Sequence, residues 1–376
     1  MAEFDVVVVG LGVMGSAALH SLARRGRRVI GIERFTPGHD RGSSHGLTRI
    51  IRLGYYEHPS YVPLVRRAYE LWRDLEARSG RKLLTVAGIL EMGAPESELI
   101  RGTLASSQLH SLPHEVLDAK TVMQRFPAFR IPPDFIGVFQ PDGGVLAAEP
   151  AIDTQITLAR TAGAESRFED TVLAIEPRGD RVRVVTERSA IEAGSVIVAA
   201  GPWLETLLPG LSDHVRVTRQ VVLWVEPRAP ALFAPDRCPI FMLESAYGIH
   251  YGFPLDPRAG LKVAKHFHQH ETADPDDYER TISPHDQAEV RSVISEYLPA
   301  ADGKLRSATT CLYTMTADGD FILDQLPGHP NIVVASPCSG HGFKFAPVIG
   351  DILADLATTG TTAHDISRFR LARFVG

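Results

Sequence analysis

Three glycines in Gly10-Leu11-Gly12-Val13-Met14-Gly15 follow four consecutive valines, and an acid, Glu33, stands further along. The spacing, with the acid about 20 residues on, suits pyrophosphate binding. Gly10 permits a tight turn, Gly12 lets the backbone approach the phosphates, and Gly15 lets a helix pack closely on the preceding strand. The helix start aims its N–H groups at phosphate oxygens. Glu33 can accept hydrogen bonds from ribose hydroxyls. These residues predict a dinucleotide site.

Other reactive residue types are scattered along the chain. Lys344, in Gly340-His341-Gly342-Phe343-Lys344-Phe345, is flanked by aromatics where a glycine turn meets a helix, whereas most lysines sit in solvent. Lys262 interrupts the apolar pattern Leu261-Lys262-Val263-Ala264, so it lies either at a sheet edge or where a charge is required. His266, His268 and His270 alternate along one expected strand face. Without an acid or cysteine cluster beside them no metal site is expected. The sequence has neither a Ser–His–Asp arrangement nor HExxH spacing. Cys238, Cys311 and Cys338 are too few and scattered for a disulfide framework and fit a reducing compartment.

The glycine motif needs a strand before it and a helix after it. Residues 5–9 form an unbroken apolar run, as in a strand covered on both faces of a parallel sheet. A helix is predicted over residues 14–25, stopped by Gly26, and a second strand over 28–32. Further helices are predicted over 60–78, 150–162 and 284–297. A β-meander is expected at 171–176 and 181–186 around the Gly179-Asp180 turn. The strand 195–200 ends in Gly201-Pro202-Trp203. Residues 88–145 read as less regular, and 215–270 as β-rich, with strands at 221–225, 249–253 and 261–264. The opening style returns at the end: a strand at 331–335, a glycine turn at 339–342 and a helix through Ala357. The signatures at both ends and in the middle imply one discontinuous nucleotide domain, 1–87, 146–214 and 320–376. Residues 88–145 and 215–319 would form a second.

Composition agrees with two globular lobes. The chain has 376 residues, 44% hydrophobic and 22% charged, which suits a packed core rather than disorder. No apolar run approaches the roughly 20 residues that span a bilayer, so no membrane partner is expected. A formal net charge of −6 disfavours nucleic acid as the main partner. Met1-Ala2-Glu3-Phe4-Asp5 carries acid where a secretory signal carries positive charge, and Arg373-Phe374-Val375-Gly376 is not a Ser-Lys-Leu type address. The expected compartment is cytoplasmic.

Gly42-Ser43-Ser44-His45-Gly46-Leu47-Thr48-Arg49-Ile50-Ile51-Arg52 intervenes where a nicotinamide dehydrogenase would run straight into further βα units. With the meander and the strand ending at Gly201, this is the layout of glutathione-reductase-like flavoproteins. That segment, YVPLVRRAYELW after it, GIHYGFP, LKVAKH, TCLYTMTADGDFILD and SGHGFKFAPVIGDIL together resemble the monomeric sarcosine oxidase and N-methyltryptophan oxidase family of FAD-dependent amine oxidases. The resemblance covers nearly the whole chain. It implies an α/β fold, with a glutathione-reductase-like FAD-binding Rossmann domain and a second, β-sheet-rich substrate domain.

The resemblance also implies roles. Gly10, Gly12, Gly15, Glu33, Arg34, Ser43, Thr48, Gly201, Gly340, Gly342, Phe343 and Lys344 would contact FAD, and Cys311 would hold the flavin 8α carbon in a thioether. Bonding needs a thiolate, with His45 and Arg49 as the cations that would lower its pKa; Cys338 is read as packing. Arg52 and Lys344 would grip the substrate carboxylate, a task suited to a guanidinium fork. Lys262 would face flavin N5 opposite the substrate and assist O₂ reduction through its fixed charge. Tyr251 and His266 would line the substrate pocket, with Met242 and Tyr313 as further candidates.

The implied activity is oxidation of a secondary amino acid, an N-methyl amino acid such as sarcosine, to an imine. That imine hydrolyses to formaldehyde and a primary amino acid, while O₂ becomes hydrogen peroxide. The only partners expected are the small-molecule substrate and O₂, and the expected state is a monomer. Spacing around residues 242–253 favours a small substrate. N-methyltryptophan, a cyclic imino acid (pipecolate or proline), a dehydrogenase using another acceptor and a non-enzymatic flavoprotein subunit remain open at this stage.

Overall fold

The valine run forms the strand Phe4–Val9, in which all residues but Asp5 are buried. The computed structural model describes residues 3–374. Met1, Ala2, Val375 and Gly376, on which the readings of both chain ends partly rest, lie outside the described residues. Phe4–Val9 pairs in parallel with Val29–Ile32 on one side and Ala190–Val198 on the other. Glu165–Arg167 extends this parallel row beyond Val29–Ile32, and His329–Ser336 extends it beyond Ala190–Val198. The meander Val172–Arg178 and Arg181–Thr186 joins the first half of Ala190–Val198, and Ile322–Leu326 pairs antiparallel with His329–Ser336. Each fully buried valine contributes about 1.5–3 kcal/mol of transfer free energy, so this row anchors the glycine turn firmly.

Helix Val13–Arg24 packs against Ala148–Thr161 and Ala346–Thr359. The second contact needs Gly350, where a Cβ would stand 2.5 Å from the backbone of Ala17. A second eight-stranded sheet runs in the order Leu305–Thr316, Val215–Val225, Leu261–Lys265, Gly248–Gly252, Ile240–Ser245, Ile89–Gly93, Ile136–Gln140 and Glu115–Asp118. Helix Pro284–Tyr297 covers it, started by a capping box of Ser283 and Asp286. A small sheet of Thr48–Ile51, Gly144–Ala147 and Leu84–Val86 completes the set. No helix among the described residues is long and apolar enough to cross a membrane.

Three expectations change. Residues 88–145 are regular, holding helices Glu98–Leu109 and Ala119–Arg125 besides four strands. Those strands have only four or five residues each, and Ile89–Gly93 is buried throughout, so no alternation marks it. Leu305–Thr316, rich in threonine, is the longest strand of the second sheet and was not foreseen. The histidine row does not lie on a strand: Leu261–Lys265 ends before it, and Phe267, Gln269 and His270 have φ of 58°, 47° and 51°.

Candidate active site

A cavity runs from Gly10, Gly12 and Glu33, past Ser43 and Arg49, to Arg52, His266 and Lys344. At its first end Gly10 has φ 86°, and a Cβ there would meet the Ala199 carbonyl oxygen at 2.5 Å. Gly15 faces away from the cavity, its hydrogen against the Gly10 carbonyl, so it serves helix–strand packing. Gly12 starts the helix without a side-chain cap, and Val13 N donates to Ser44 Oγ at 3.3 Å, a long contact at the end where a helix start favours an anion. The Glu33 carboxylate accepts from Leu11 N at 2.7 Å and Phe35 N at 3.0 Å, and it still lines the cavity. Arg34 reaches out to Asp276 at 2.7 Å.

At the far end the cations gather around one ring. The Arg52 guanidinium lies 4.4 Å from the Tyr55 centroid and the Lys344 ammonium 5.1 Å from it. Arg52 is 2% exposed. One nitrogen donates to both Glu57 oxygens at 2.8 and 2.6 Å, another donates to the Gly54 carbonyl at 2.8 Å, and Nε lies 3.6 Å from Glu91. Burial opposes the charge on Arg52, yet Glu57 and then Glu91 outweigh it and raise the pKa. Burial likewise opposes charge on Glu57, but Arg52 holds its carboxyl down to about 2.

Lys344 sits in the single turn Phe343–Phe345 and donates to the His341 carbonyl at 2.5 Å and the Tyr55 hydroxyl at 3.3 Å. Burial, followed by the nearby Arg52, pulls its pKa down to about 7. His341 Nε2 faces the Gly319 carbonyl at 3.1 Å and can only donate to it, so Nδ1 accepts the Tyr55 hydroxyl at 2.6 Å. Burial keeps the pKa near 4, so the ring is a neutral imidazole with one donor and one acceptor nitrogen.

The cavity wall between these ends carries Cys311, Tyr251, Tyr313, Met242 and His266. The Tyr251 and Tyr313 side chains interact, and burial raises the pKa of both. His266 is held uncharged by burial, with a pKa near 3, and its Nε2 has no hydrogen-bond partner among the described residues. Cys311 faces a cluster of Val222, Trp224, Ala264 and Tyr313. Burial raises its thiol pKa, against the opposing pull of Arg49 and Lys262.

Most sequence-derived candidates converge on this cavity: Gly10, Gly12, Glu33, Arg34, Ser43, Arg49, Arg52, Gly201, Tyr251, His266, Cys311, Gly340, Gly342, Phe343 and Lys344 all line it. Four do not. Gly15 packs as described. Thr48 turns its hydroxyl to Lys262 at 3.3 Å instead of the cavity. Lys262 lies on an interior strand rather than an edge, and its ammonium donates to the Gly46 and Thr48 carbonyls at 2.7 and 2.8 Å. His45 is buried with its pKa near 4, chiefly by desolvation and then by Arg49, so it is not the cation expected beside Cys311. Arg49 itself is tied to the Ser43 and His45 carbonyls at 2.7 and 2.6 Å.

Sequence reading missed Tyr55, Glu57, Glu91 and His341. Only His341 carried a signal, since it lies inside the glycine turn already singled out. Glu57 follows Arg52 by five residues, a spacing that elsewhere means two solvated charges.

The cavity fits a dinucleotide at its glycine end, where Ser43 Oγ is buried without a hydrogen-bond partner among the described residues, beside the helix start. Residues 5–356 match the model of the family described as FAD dependent oxidoreductase. This places the site in a two-domain FAD-binding α/β fold. The chain is 42% identical over 371 residues to monomeric sarcosine oxidase of Streptomyces avermitilis, covering 97% of this chain and 96% of that one. It is 36% identical over 375 residues to N-methyl-L-tryptophan oxidase of Salmonella typhi, covering 99% of each. Among solved structures, NikD, an unusual amino acid oxidase essential for nikkomycin biosynthesis, superimposes with TM-score 0.85 at 30% identity over 98% of this chain and 97% of that one. The chain belongs to the monomeric sarcosine oxidase and N-methyltryptophan oxidase family of FAD-dependent oxidoreductases.

Proposed function

We propose that the chain oxidises small secondary amino acids, N-methyl amino acids such as sarcosine foremost, to imines that hydrolyse to formaldehyde and the primary amino acid. The observation that carries this reading is the pair of buried cations, Arg52 and Lys344, on one tyrosine ring at the end of the dinucleotide cavity. Bound FAD supplies an acceptor for two electrons and a hydrogen from the amine, and O₂ takes the electrons on to give hydrogen peroxide.

The chain's own residues do the rest. Arg52, with one terminal nitrogen on Glu57 and the other on the Gly54 carbonyl, offers a carboxylate its charge and its remaining N–H, and Lys344 adds a second charge. Fixing the acid end limits where the substrate nitrogen can lie, and such orientation is a large part of the rate. Two cations near the nitrogen disfavour its ammonium form, so the neutral amine that can release electrons is populated at lower pH. Uncharged His266, with its unpartnered Nε2, offers a hydrogen bond to that nitrogen. Met242, Phe253 and Tyr251 form an apolar wall beside it.

The cofactor is held by the glycine turn, Glu33, Ser43 and the 340–343 turn, and tethered through Cys311. Its support is a thiol on the cavity wall, on which Arg49 and Lys262 pull against the burial that raises its pKa. The division into 1–87, 146–214 and 320–376 against 88–145 and 215–319 is supported by sheet membership. A cytoplasmic setting is supported by three free cysteines, and a monomer by the name of the Streptomyces relative; sedimentation at the mass of one chain is the expected result. The activity is tested by mixing the yellow protein with sarcosine, N-methyltryptophan, pipecolate and proline and following peroxide. Peroxide with sarcosine above the others is expected. No turnover of any N-methyl amino acid would remove the proposal.

A further inference from the structure

Arg52 has a second acid behind it, which no step above uses. Glu91 lies on Ile89–Gly93 directly opposite Met242 of the neighbouring strand, and Met242 in turn lies opposite Tyr251. Cross-strand partners share a face, so Glu91 belongs to the same row as two cavity-lining residues. It is fully buried. One carboxylate oxygen accepts from Gln140 Nε2 at 2.7 Å, while Gln140 Oε1 accepts from Gly54 N at 2.6 Å. The other oxygen has no hydrogen-bond partner among the described residues and lies 3.6 Å from Arg52 Nε. Around it stand Arg52, Glu57, Tyr56, Thr103 and Gln140. Arg52 is the one cation of that group, and Glu57 already occupies its outer nitrogen.

We propose that Glu91 is a positioning and specificity residue: its neutral form leaves the Arg52 guanidinium able to take a ligand carboxylate, and its charged form competes for the same cation. The inference rests on the reading of Arg52 as the carboxylate-binding group. A ligand carboxylate beside charged Glu57 and charged Glu91 would put three anions around one buried guanidinium, where like charges repel strongly. Binding an anion is therefore linked to uptake of one proton by the Glu91 carboxylate, which becomes a carboxylic acid without any other bond changing. The linkage falls in an accessible range, since burial, against the pull of Arg52, raises the Glu91 pKa to about 7.

The test uses the FAD-loaded protein and acetate, an unreactive carboxylate, titrated by calorimetry from pH 6 to pH 9. Lys344 loses charge over the same range in every variant, so the reading is the difference between proteins. Wild type and Glu91→Gln should bind acetate alike at pH 6. Above pH 7.5 the wild-type Kd should rise up to about tenfold more per pH unit than that of the variant, the limit for one linked proton. Glu91→Met, which removes the buried carboxyl without an amide, should follow Glu91→Gln and serves if the amide variant does not fold. Parallel curves for wild type and variants would overturn the proposal. Acetamide separates this from failure of the underlying reading. If acetate binds no better than acetamide at pH 6, the carboxylate site itself is wrong. If acetate is preferred but the curves stay parallel, only the role of Glu91 is lost.

Discussion

A thiol enclosed by Trp224, Ala264 and Tyr313 has every physical reason to stay protonated, yet Arg49 and Lys262 pull the other way. That balance gives Cys311 a specific prediction. Acid-precipitated wild type should stay yellow, Cys311→Ser should release all its flavin, and Cys338→Ser should keep it; flavin retained by the Cys311 variant would contradict the tether. At this scale the sequence was most legible where backbone geometry dictates residue type, as at Gly10. It was least legible where a charge is compensated from afar. Tyr55 meets His341 across 286 positions, and Glu91 reaches Arg52 only because two strands and a loop converge. His45 shows the same limit: a histidine in a polar segment reads as a cation, but enclosure makes it neutral.

The turn that carries Lys344 shows what an element contributes. Gly340 has φ 79°, and a Cβ on Gly342 would stand 1.5 Å from the Pro337 carbonyl oxygen. Gly342→Ala therefore cannot be accommodated without moving the turn, and it should lower Tm and flavin content severely. Gly360, the left-handed cap of Ala346–Thr359 at φ 77°, has only Gln325 Nε2 nearby at 3.7 Å. Gly360→Ala should cost about 1 kcal/mol, with flavin content unchanged. Equal losses in the two variants by calorimetry would refute this assignment. Elements with long apolar or helical periods, such as Val62–Ser79 and Pro284–Tyr297, were readable within two residues. The strand bearing Cys311 was not, because residues 310–314 are all buried, polar and apolar alike, so no alternation marks it.

Across the whole molecule, the glycine end of the cavity belongs to the first sheet, while Cys311, Tyr251 and Met242 come from the second. Arg34–Asp276 and Arg280–Asp40 join the two at the rim, but such exposed pairs contribute only about 0–1 kcal/mol each. The buried joint is Lys262 on the Gly46 and Thr48 carbonyls. Chemistry therefore depends on bringing a nucleotide fold against a sheet that carries the substrate wall, with Arg52 and Lys344 where they meet.

The most direct test of that arrangement is anaerobic titration of the yellow protein with sarcosine and, separately, dimethylamine, following loss of flavin absorbance. Both offer an N-methyl secondary amine, and only sarcosine carries a carboxylate. Two charge-assisted hydrogen bonds predict that sarcosine bleaches the flavin at concentrations at least about a hundredfold lower. Equal bleaching by dimethylamine would contradict the account.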